Sequence, residues 1–231
     1  RPVVIYQRVL NSLSYYLSNY AKKFAIPLFI HIADNYCLSF GISLRDKIRK
    51  KMFLSVARAK TTSFIVQTDY QQELLKAHGF STALKIYNSH PIPNGKRGSF
   101  ENRPYKEVIW IGSGRRIKQL EKFIALAISM NHIKELKFTV IGRLTDSDYG
   151  QSLVAEIDRV NNLQFLGEQH NDFINDYILN SYLLVNTSVS EGFSNTFIQA
   201  WMRGVPVISL NSDPDDIIER YSLGYVCDGD E

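Results

Sequence analysis

The chain has 231 residues, 45% of them hydrophobic and 22% charged, which is typical of a folded protein and excludes disordered, collagen-like and disulfide-rich classes. No apolar run approaches the roughly 20 residues of a membrane-spanning helix. The two cysteines and five scattered histidines show no metal-ligand spacing, and the net charge is a modest +4. We therefore expect no bound metal and no nucleic-acid partner.

The positive charge is concentrated near the start of the chain. Residues 1–60 hold 11 Lys and Arg against 2 Asp and Glu, a net charge of +9, which leaves −5 for the remainder. Residues 44–54 alternate basic and apolar side chains at helical spacing, which indicates peripheral contact with an anionic membrane, contact with an acidic partner, or only a solvated face. Unpaired cysteines favour a reducing compartment, so we expect a cytoplasmic protein that contacts, at most, the inner face of a membrane.

Predicted strands and helices alternate along the first part of the chain. This alternation predicts a parallel sheet, which would be the later part of a domain spanning residues 1–88. The predicted elements are a buried strand at 3–6, a helix with apolar Leu10, Leu13, Leu17 and Tyr20, a strand at 27–33, the basic helix, a strand at 64–67, and a helix from Thr68 or Asp69 to near Gly79.

A segment rich in proline, glycine and asparagine, residues 89–104, predicts a linker. Beyond it, residues 105–231 predict a doubly wound domain whose last helices are missing. Its predicted strands lie at 108–111, 138–141, 163–166, 183–186 and 205–210, and its predicted helices near 117–130, 149–160, 171–179, 194–202 and 214–220.

The stretch 190–210 combines a polar loop, a helix and a buried strand. Ser194 or Asn195 is expected to cap the helix, and Gly204 to end it. The first N–H groups of a helix, together with its dipole, favour an anion, and Gly192 is expected to let that anion approach the backbone. A phosphate group is the obvious candidate.

This stretch closely resembles the signature of retaining glycosyltransferase family four. The family pattern is Glu-Gly-Phe, a second Glu eight positions after the first, and Gly-x-Pro-Val; here Gln199 replaces the second Glu. The resemblance implies an α/β GT-B fold of two Rossmann-like, doubly wound parallel-sheet domains, the first one truncated. Because the chain begins at Arg1 and stops without a closing helix, we expect it to be part of a longer protein.

Ligands of open parallel sheets lie beyond the carboxyl ends of the strands, so the loops of the second domain are candidate sites. The first such loop is small and basic, and its amides are expected to wrap a diphosphate. The resemblance implies Gly-Arg there with a Lys five residues after the Arg. Lys118 matches, whereas Ser113 replaces the Arg, for which Arg115 or Arg116 would be the candidate substitute. The loop at Gly167 is where the family's backbone reads the base. The loop comprises Gly112, Ser113, Gly114, Arg115, Arg116, Ile117 and Lys118.

The resemblance also assigns roles within the signature. Glu191 would approach hydroxyls of the transferred sugar, and the backbone at Gly192, Phe193, Ser194 and Asn195 would meet phosphate or sugar. A ribose hydroxyl would bond to Gln199, whose neutral amide makes a weaker bond than a carboxylate.

The first domain would supply the acceptor side of the site. Ala33 stands at the usual His position of the family, and both His31 and Asp34 remain open as functional residues. Solvated or packing roles stay open for Glu191 and Lys118 as well.

The sequence thus predicts a metal-independent, retaining, hexosyl-type glycosyltransferase of glycan biosynthesis that needs no cofactor. Its donor would be a UDP- or GDP-sugar and its acceptor a hydroxyl on a glycan or lipid-linked glycan, with Lys118, Glu191 and Asp34 as catalytic residues. A nucleotide-sugar binding or regulatory domain without turnover is the alternative, and an epimerase or phosphorylase of the same fold is a further one. A nicotinamide enzyme is disfavoured because no acid follows the second strand.

Overall fold

The computed structural model describes residues 2–81, 84–92, 105–144 and 147–229. Within these ranges the chain forms ten β-strands and eight α-helices. They belong to two compact units: Arg1–Asn88 with Glu191–Phe193, and Ser89–Ser190 with Ser194–Glu231. Residues 93–104 of the predicted linker and the last two residues lie outside the described residues. The predicted α/β fold with parallel sheets is confirmed.

The first unit contains a four-stranded parallel sheet in the order β1-β2-β3-β4. A short helical turn, Tyr36–Leu38, follows the second strand. The strands and helices are β1 (Ile5–Arg8), α1 (Ser12–Phe24), β2 (Leu28–His31), α2 (Leu44–Ala57), β3 (Thr62–Val66), α3 (Asp69–Ala77) and β4 (Leu84–Lys85).

One expectation for this unit is wrong. The strand predicted as buried at 3–6 is β1, which pairs only with β2 in the described sheet, and Tyr6 on it is 57% exposed. In α1 the fully buried side chains are the small ones, Ser14, Ser18 and Ala21, whereas Leu13 is 54% exposed. Apolar residues thus mark an element reliably but do not fix which of its faces is covered.

The core of the first unit is built on β2 and β3. Leu28 and Ile30 alternate with partly covered positions along β2, while Phe64 and Val66 come from β3. Phe53 of α2 packs against them. Burying each such side chain contributes about 1.5–3 kcal/mol, which is why these helices lie on the sheet despite their polar outer faces.

The second unit contains a six-stranded sheet in the order β10-β9-β8-β5-β6-β7, and every pairing is parallel. The strand order reverses beside β5, and such a reversal opens a crevice at the carboxyl ends of the strands. The elements are β5 (Lys106–Ile111), α4 (Leu120–Ser129), β6 (Leu136–Ile141), α5 (Asp148–Ile157), β7 (Leu163–Phe165), α6 (Asn171–Leu179), β8 (Leu183–Asn186), α7 (Asn195–Trp201), β9 (Val207–Ser209), α8 (Ile217–Arg220) and β10 (Gly224–Val226).

Side chains of β5 belong to the hydrophobic clusters on both faces of this sheet. Trp110 belongs to a cluster with Phe123 and Phe138, whereas Ile109 belongs to a second cluster with Phe197. Successive side chains of a strand point to opposite faces, so one strand feeds two hydrophobic layers. The doubly wound arrangement predicted for residues 105–231 follows from this alternation.

Candidate functional site

The loops after β5 and β8 meet at the crevice of the second unit. The Thr187 hydroxyl donates to the carbonyl of Lys118 at 2.7 Å, and Trp110 Nε1 donates to Thr187 Oγ1 at 3.0 Å. The Val189 N–H donates to the Ile117 carbonyl at 2.9 Å. Thr187 is 4% exposed, so these bonds are shielded from water. The turn that carries Lys118 is therefore fastened to the end of β8.

Lys118 stands at the end of a short helical turn rather than inside α4. The turn spans Arg116–Lys118, and Gln119 then adopts a left-handed conformation with φ 45° before α4 begins. This conformation is uncommon for a residue other than glycine and frequently marks a functional site. The continuous helix predicted over 117–130 is wrong at this position, and the break separates Lys118 from the helix that follows.

Glycines after β5 and β6 allow the loops that follow these two strands to approach closely. A Cβ at Gly142, where φ is +145°, would lie 1.6 Å from the Gly112 carbonyl oxygen. The N–H groups of Gly112 and Gly114 donate to carbonyls at the end of β6 and just beyond it, at 3.0 and 2.9 Å, and that of Arg115 donates to the Ser113 carbonyl. These three N–H groups therefore already have acceptors inside the protein, and the expectation that amides of this loop wrap a diphosphate stays a prediction for the other residues of the loop.

The loop after β7 joins the same arrangement. Gly167 has φ +70°, and its carbonyl accepts the Gly142 N–H at 2.9 Å. Glu168 is exposed and lies 4.0 Å from Arg143 Nε. His170 caps α6 by accepting the Asp172 N–H. This loop therefore offers backbone groups near Gly167, while its ionisable side chains lie at the surface.

Helix α7 follows the predicted pattern but is only seven residues long. It ends at Trp201, and Gly204 follows at φ 68° beside a bond from the Val205 N–H to the Ala200 carbonyl, so the predicted glycine stop is confirmed. At its start the Ser194 side chain accepts no capping bond, and its hydroxyl pairs instead with Thr196 Oγ1 at 2.9 Å. The first-turn N–H groups have no acceptor within the helix and remain available as donors.

Gln199 is buried, at 4% exposure, and its amide is held on one side. Its Nε2 donates to Asn175 Oδ1 at 3.0 Å, so its oxygen is the group left to accept. Arg203 NH1 donates to the Gln199 carbonyl, and burial lowers the pKa of Arg203, opposed by Asp176. Asn175, Arg203 and Thr187 were not predicted from the sequence. Asn175 and Thr187 lie outside the signature stretch, and Arg203 is not one of the residues of the family pattern.

The segment Glu191–Phe193 groups with the first unit. Asn35 Nδ2 donates to the Glu191 carbonyl at 2.8 Å, and Asn88 Nδ2 donates to the Phe193 carbonyl at 2.6 Å. A Cβ at Gly192 would lie 3.0 Å from the Ala33 carbonyl oxygen. Gly192 thus packs closely on Ala33 because it has no side chain. This role of the glycine differs from the expected one, which was to let an anion approach the backbone.

Buried amide side chains hold this segment. Gln67 and Gln71 are both 0% exposed; the Gln71 amide accepts from the Gln67 N–H at 2.8 Å and donates to Asn35 Oδ1 at 3.1 Å. Gln67 in turn donates to Asn88 Oδ1. Isolated Gln and Asn residues carry no sequence signal for such a network, because the residues that it joins lie far apart in the chain.

Asp34 and His31 differ in accessibility within the first unit. Asp34 accepts the Cys37 N–H at 2.9 Å and lines a cavity of about 380 Å³, together with Arg45 and other residues of α2. His31 is 8% exposed and its Nδ1 bonds to the Tyr6 hydroxyl at 2.7 Å. Burial, and secondarily the charge of Arg8, lower the pKa of His31. His31 therefore packs as a neutral side chain, and Asp34 is the one of the two that faces a cavity.

The described residues contain no group of three or more His, Cys, Asp or Glu side chains that would hold a metal ion. None of the helices in the described ranges is long and apolar enough to cross a bilayer.

Residues 105–231, more than half of the chain, match the family model described as Glycosyl transferases group 1. The chain therefore belongs to the group 1 glycosyl transferases. The matched region contains the fastened Lys118 turn, the Gly167 loop and α7. No sequence among the curated proteins gives a significant match.

Several solved structures resemble the chain at 17–20% identity, which shows the fold alone. A mutant of S. aureus TarM in complex with Fondaparinux, alpha-GlcNAc-glycerol and UDP has 19% identity and a TM-score of 0.70, covering 89% of this chain and 41% of that one. Anabaena HepE with UDP-glucose has 17% identity and a TM-score of 0.72, covering 96% of this chain and 64% of that one. The lipopolysaccharide outer core galactosyltransferase WaaB has 20% identity and a TM-score of 0.61, covering 92% of this chain and 65% of that one. The fold is thus of the GT-B type, and this chain spans less than two thirds of the length of each neighbour.

Proposed function

We propose that the protein is a retaining glycosyltransferase of family four that transfers a hexosyl group from a nucleotide-diphosphate sugar to a hydroxyl acceptor. The observation that carries this proposal is the Lys118 turn, bonded through Thr187 to the end of β8 at the crevice of a group 1 glycosyl transferase domain. The complexes of TarM with UDP and of HepE with UDP-glucose support a uridine nucleotide as the first donor to test.

The two units would divide the work. Residues 105–231 would bind the donor, and residues 1–88 would bind the acceptor, a glycan or a lipid-linked glycan. Asp34 is the carboxylate proposed on the acceptor side, since it lines the cavity of the first unit. Glu191 is proposed to contact hydroxyls of the transferred sugar.

The chemistry requires stabilising charge on the departing diphosphate. Lys118 would supply a cation, and the first-turn N–H groups beside Ser194 and Asn195 would supply dipoles aimed at phosphate oxygens. We propose that no metal, cofactor or enzymic nucleophile takes part, and that the acceptor attacks on the face from which the diphosphate leaves. Arg115, which is exposed, would replace the missing Arg at Ser113.

Recognition of the nucleoside would rest on two groups of the second unit. The backbone beside Gly167 would contact the base, and the Gln199 oxygen would accept from a ribose hydroxyl because its Nε2 is committed to Asn175. Gly112 and Gly114 would also contribute indirectly: a Cβ at Gly114 would lie 3.0 Å from the Leu144 Cα in the loop after β6, and a Cβ at Gly112 would lie 2.7 Å from the Trp110 ring.

The first test is binding by the 231-residue chain. Thermal unfolding would be followed with UDP, GDP and ADP; a ligand at 100 times its Kd stabilises the native state by about 2.7 kcal/mol. We expect a rise in Tm with UDP or GDP that exceeds the rise with ADP. Equal, negligible shifts with all three would contradict the proposal.

The second test addresses turnover and stereochemistry. Release of nucleoside diphosphate from UDP-glucose and UDP-GlcNAc would be measured with and without glycan and lipid extracts, and the product would be examined by NMR for its anomeric configuration. Acceptor-dependent release with the donor's configuration kept is expected, and inversion would contradict the retaining mechanism.

A binding or regulatory domain without turnover is the second candidate. It is favoured by the neutral Gln199, whose amide is engaged by Asn175, and by Ser113 in place of a cation. Tight binding of a nucleotide sugar with no sugar release under any acceptor condition would establish this function instead.

We also propose a cytoplasmic location with a peripheral membrane contact through the basic helix, residues 44–54. A lipid-linked acceptor would be delivered at that surface, so the contact would serve the transfer reaction directly.

A further inference from the structure

Helix α2 has one buried side and one outward side. Phe53 and Val56 are 2% and 1% exposed and belong to the core. Leu44 and Ile48 are 76% and 53% exposed, and Ile42, just before the helix, is 94% exposed. Single exposed apolar side chains are normal, but here three large ones occur within seven residues of chain.

A cationic groove of about 600 Å³ lies along the same helix. It is lined by Lys22, Lys47, Lys50, Lys51, Leu54, Ser55 and Arg58. No carboxylate is among these lining residues, and Asp46, the one acid of α2, is bonded to Arg49 and Ser43 instead. The groove therefore concentrates five positive charges from α1, α2 and the residue that follows α2.

The apolar residues and the groove adjoin each other on the helix surface. Leu44 and Ile48 are four residues apart, as are Lys47 and Lys51, and the two pairs are offset by three. Residues three and four apart are neighbours on a helix, so the apolar row runs beside the cationic row. Lys22 Nζ reaches the Ser55 carbonyl at 3.5 Å, which places α1 on the far side of the groove.

We propose that this outward face of α2 docks on the anionic surface of a lipid bilayer. The inference rests on the membrane contact proposed above and specifies its partner and its residues. Ile42, Leu44 and Ile48 enter the boundary between headgroups and acyl chains, and the lysines reach lipid phosphates from the same depth. A soluble polyanion would bind the cations but gives the apolar row nothing to contact, so the bilayer fits both observations.

The first test compares binding of the 231-residue chain to vesicles of phosphatidylcholine alone and of phosphatidylcholine with phosphatidylglycerol. Cosedimentation is expected only with the anionic vesicles. The triple variant Lys47→Gln, Lys50→Gln, Lys51→Gln should weaken partitioning by on the order of 100-fold, since each cation near an anionic surface contributes about a factor of five. The matched variant Lys134→Gln, Lys137→Gln, Arg159→Gln removes three exposed cations of the second unit and should bind as the wild type does.

The second test separates a bilayer from a soluble polyanion. Leu44→Ser with Ile48→Ser should lower vesicle binding about tenfold or more and leave binding of polyphosphate unchanged. The control is Ile92→Ser with Ile128→Ser, two side chains that are 86% and 50% exposed and lie outside the face. Vesicle binding that tolerates the loss of Leu44 and Ile48, or equal losses in the two charge variants, would overturn the proposal.

Binding of UDP to the charge and apolar variants distinguishes this inference from the proposed function. None of the substituted residues lies in the candidate donor site, so UDP affinity should stay within twofold of the wild type. Loss of vesicle binding with intact UDP binding refers to the bilayer contact alone, whereas a wild-type chain that binds vesicles but no nucleotide would refute the donor site and leave the bilayer contact standing.

Discussion

The side chain at position 199 carries the main chemical difference between this site and the family pattern that it resembles. Gln199 is buried and its Nε2 donates to Asn175, so the side-chain oxygen is the group left to accept a hydrogen bond. Sequence comparison identified the residue but not its partner, because Asn175 lies on α6, a different element. The hydrogen bond from the Gln199 amide to Asn175 explains how a neutral side chain keeps a fixed geometry here.

Gln199→Glu should raise the affinity for UDP by about 1 kcal/mol, roughly fivefold, because a carboxylate accepts a stronger hydrogen bond than an amide. Asn175 can turn its amide to donate to the new carboxylate. Isothermal titration calorimetry of UDP measures the effect, with Gln151→Glu, an exposed substitution on α5, as the charge-matched control. An affinity unchanged by Gln199→Glu would mean that position 199 does not meet the ribose.

A second prediction at the residue scale concerns His31. Burial lowers its pKa, so the native state binds fewer protons than the unfolded state as the pH falls below about 6.5. Stability should therefore decrease from pH 7.5 to pH 5.5. His31→Asn places an uncharged amide near Tyr6 and should reduce that decrease, whereas His132→Asn, at an exposed position, should not. Thermal unfolding at pH 7.5 and pH 5.5 measures this loss of stability. If His31→Asn loses as much stability as the wild type does, His31 is not its source.

Among the elements, the turn before α4 shows where sequence patterns stop being informative. The helices and strands themselves were predictable, since β-branched runs separated by caps and glycines mark them. The break at Gln119 was not, because glutamine has no preference for a left-handed conformation and the bonds from Thr187 and Val189 that help to fix the turn come from a distant part of the chain. The short strands β4 and β10 were missed for a related reason: two or three residues carry no periodicity.

Thr187→Val should lower UDP affinity about five- to tenfold, because it removes the hydroxyl that holds the Lys118 carbonyl and leaves Trp110 Nε1 without its acceptor. Thr187→Ser retains the hydroxyl and should bind UDP with the affinity of the wild type. The comparison is made by calorimetry with UDP, alongside thermal unfolding to show that both variants are folded. Equal affinity in the Val and Ser variants would mean that the turn does not depend on Thr187.

At the scale of the whole molecule, two parallel sheets follow from the alternation of strands and helices along the chain. The reversal of strand order beside β5 then determines where a ligand crevice opens in the second unit. The grouping of Glu191–Phe193 with the first unit was beyond sequence reasoning, because it depends on Asn35 and Asn88, two amides more than 100 residues away in the chain.

The central claim is that the second unit binds a nucleoside diphosphate through Lys118. Calorimetric titration of UDP into the wild-type chain and into Lys118→Met tests it most directly, with Lys134→Met, an exposed lysine of the same unit, as the control. A hydrogen bond to a charged group contributes about 1.5–3 kcal/mol, so Lys118→Met should weaken binding by roughly 10- to 150-fold while the control binds as the wild type does. Equal affinity of the wild type and Lys118→Met would contradict the account.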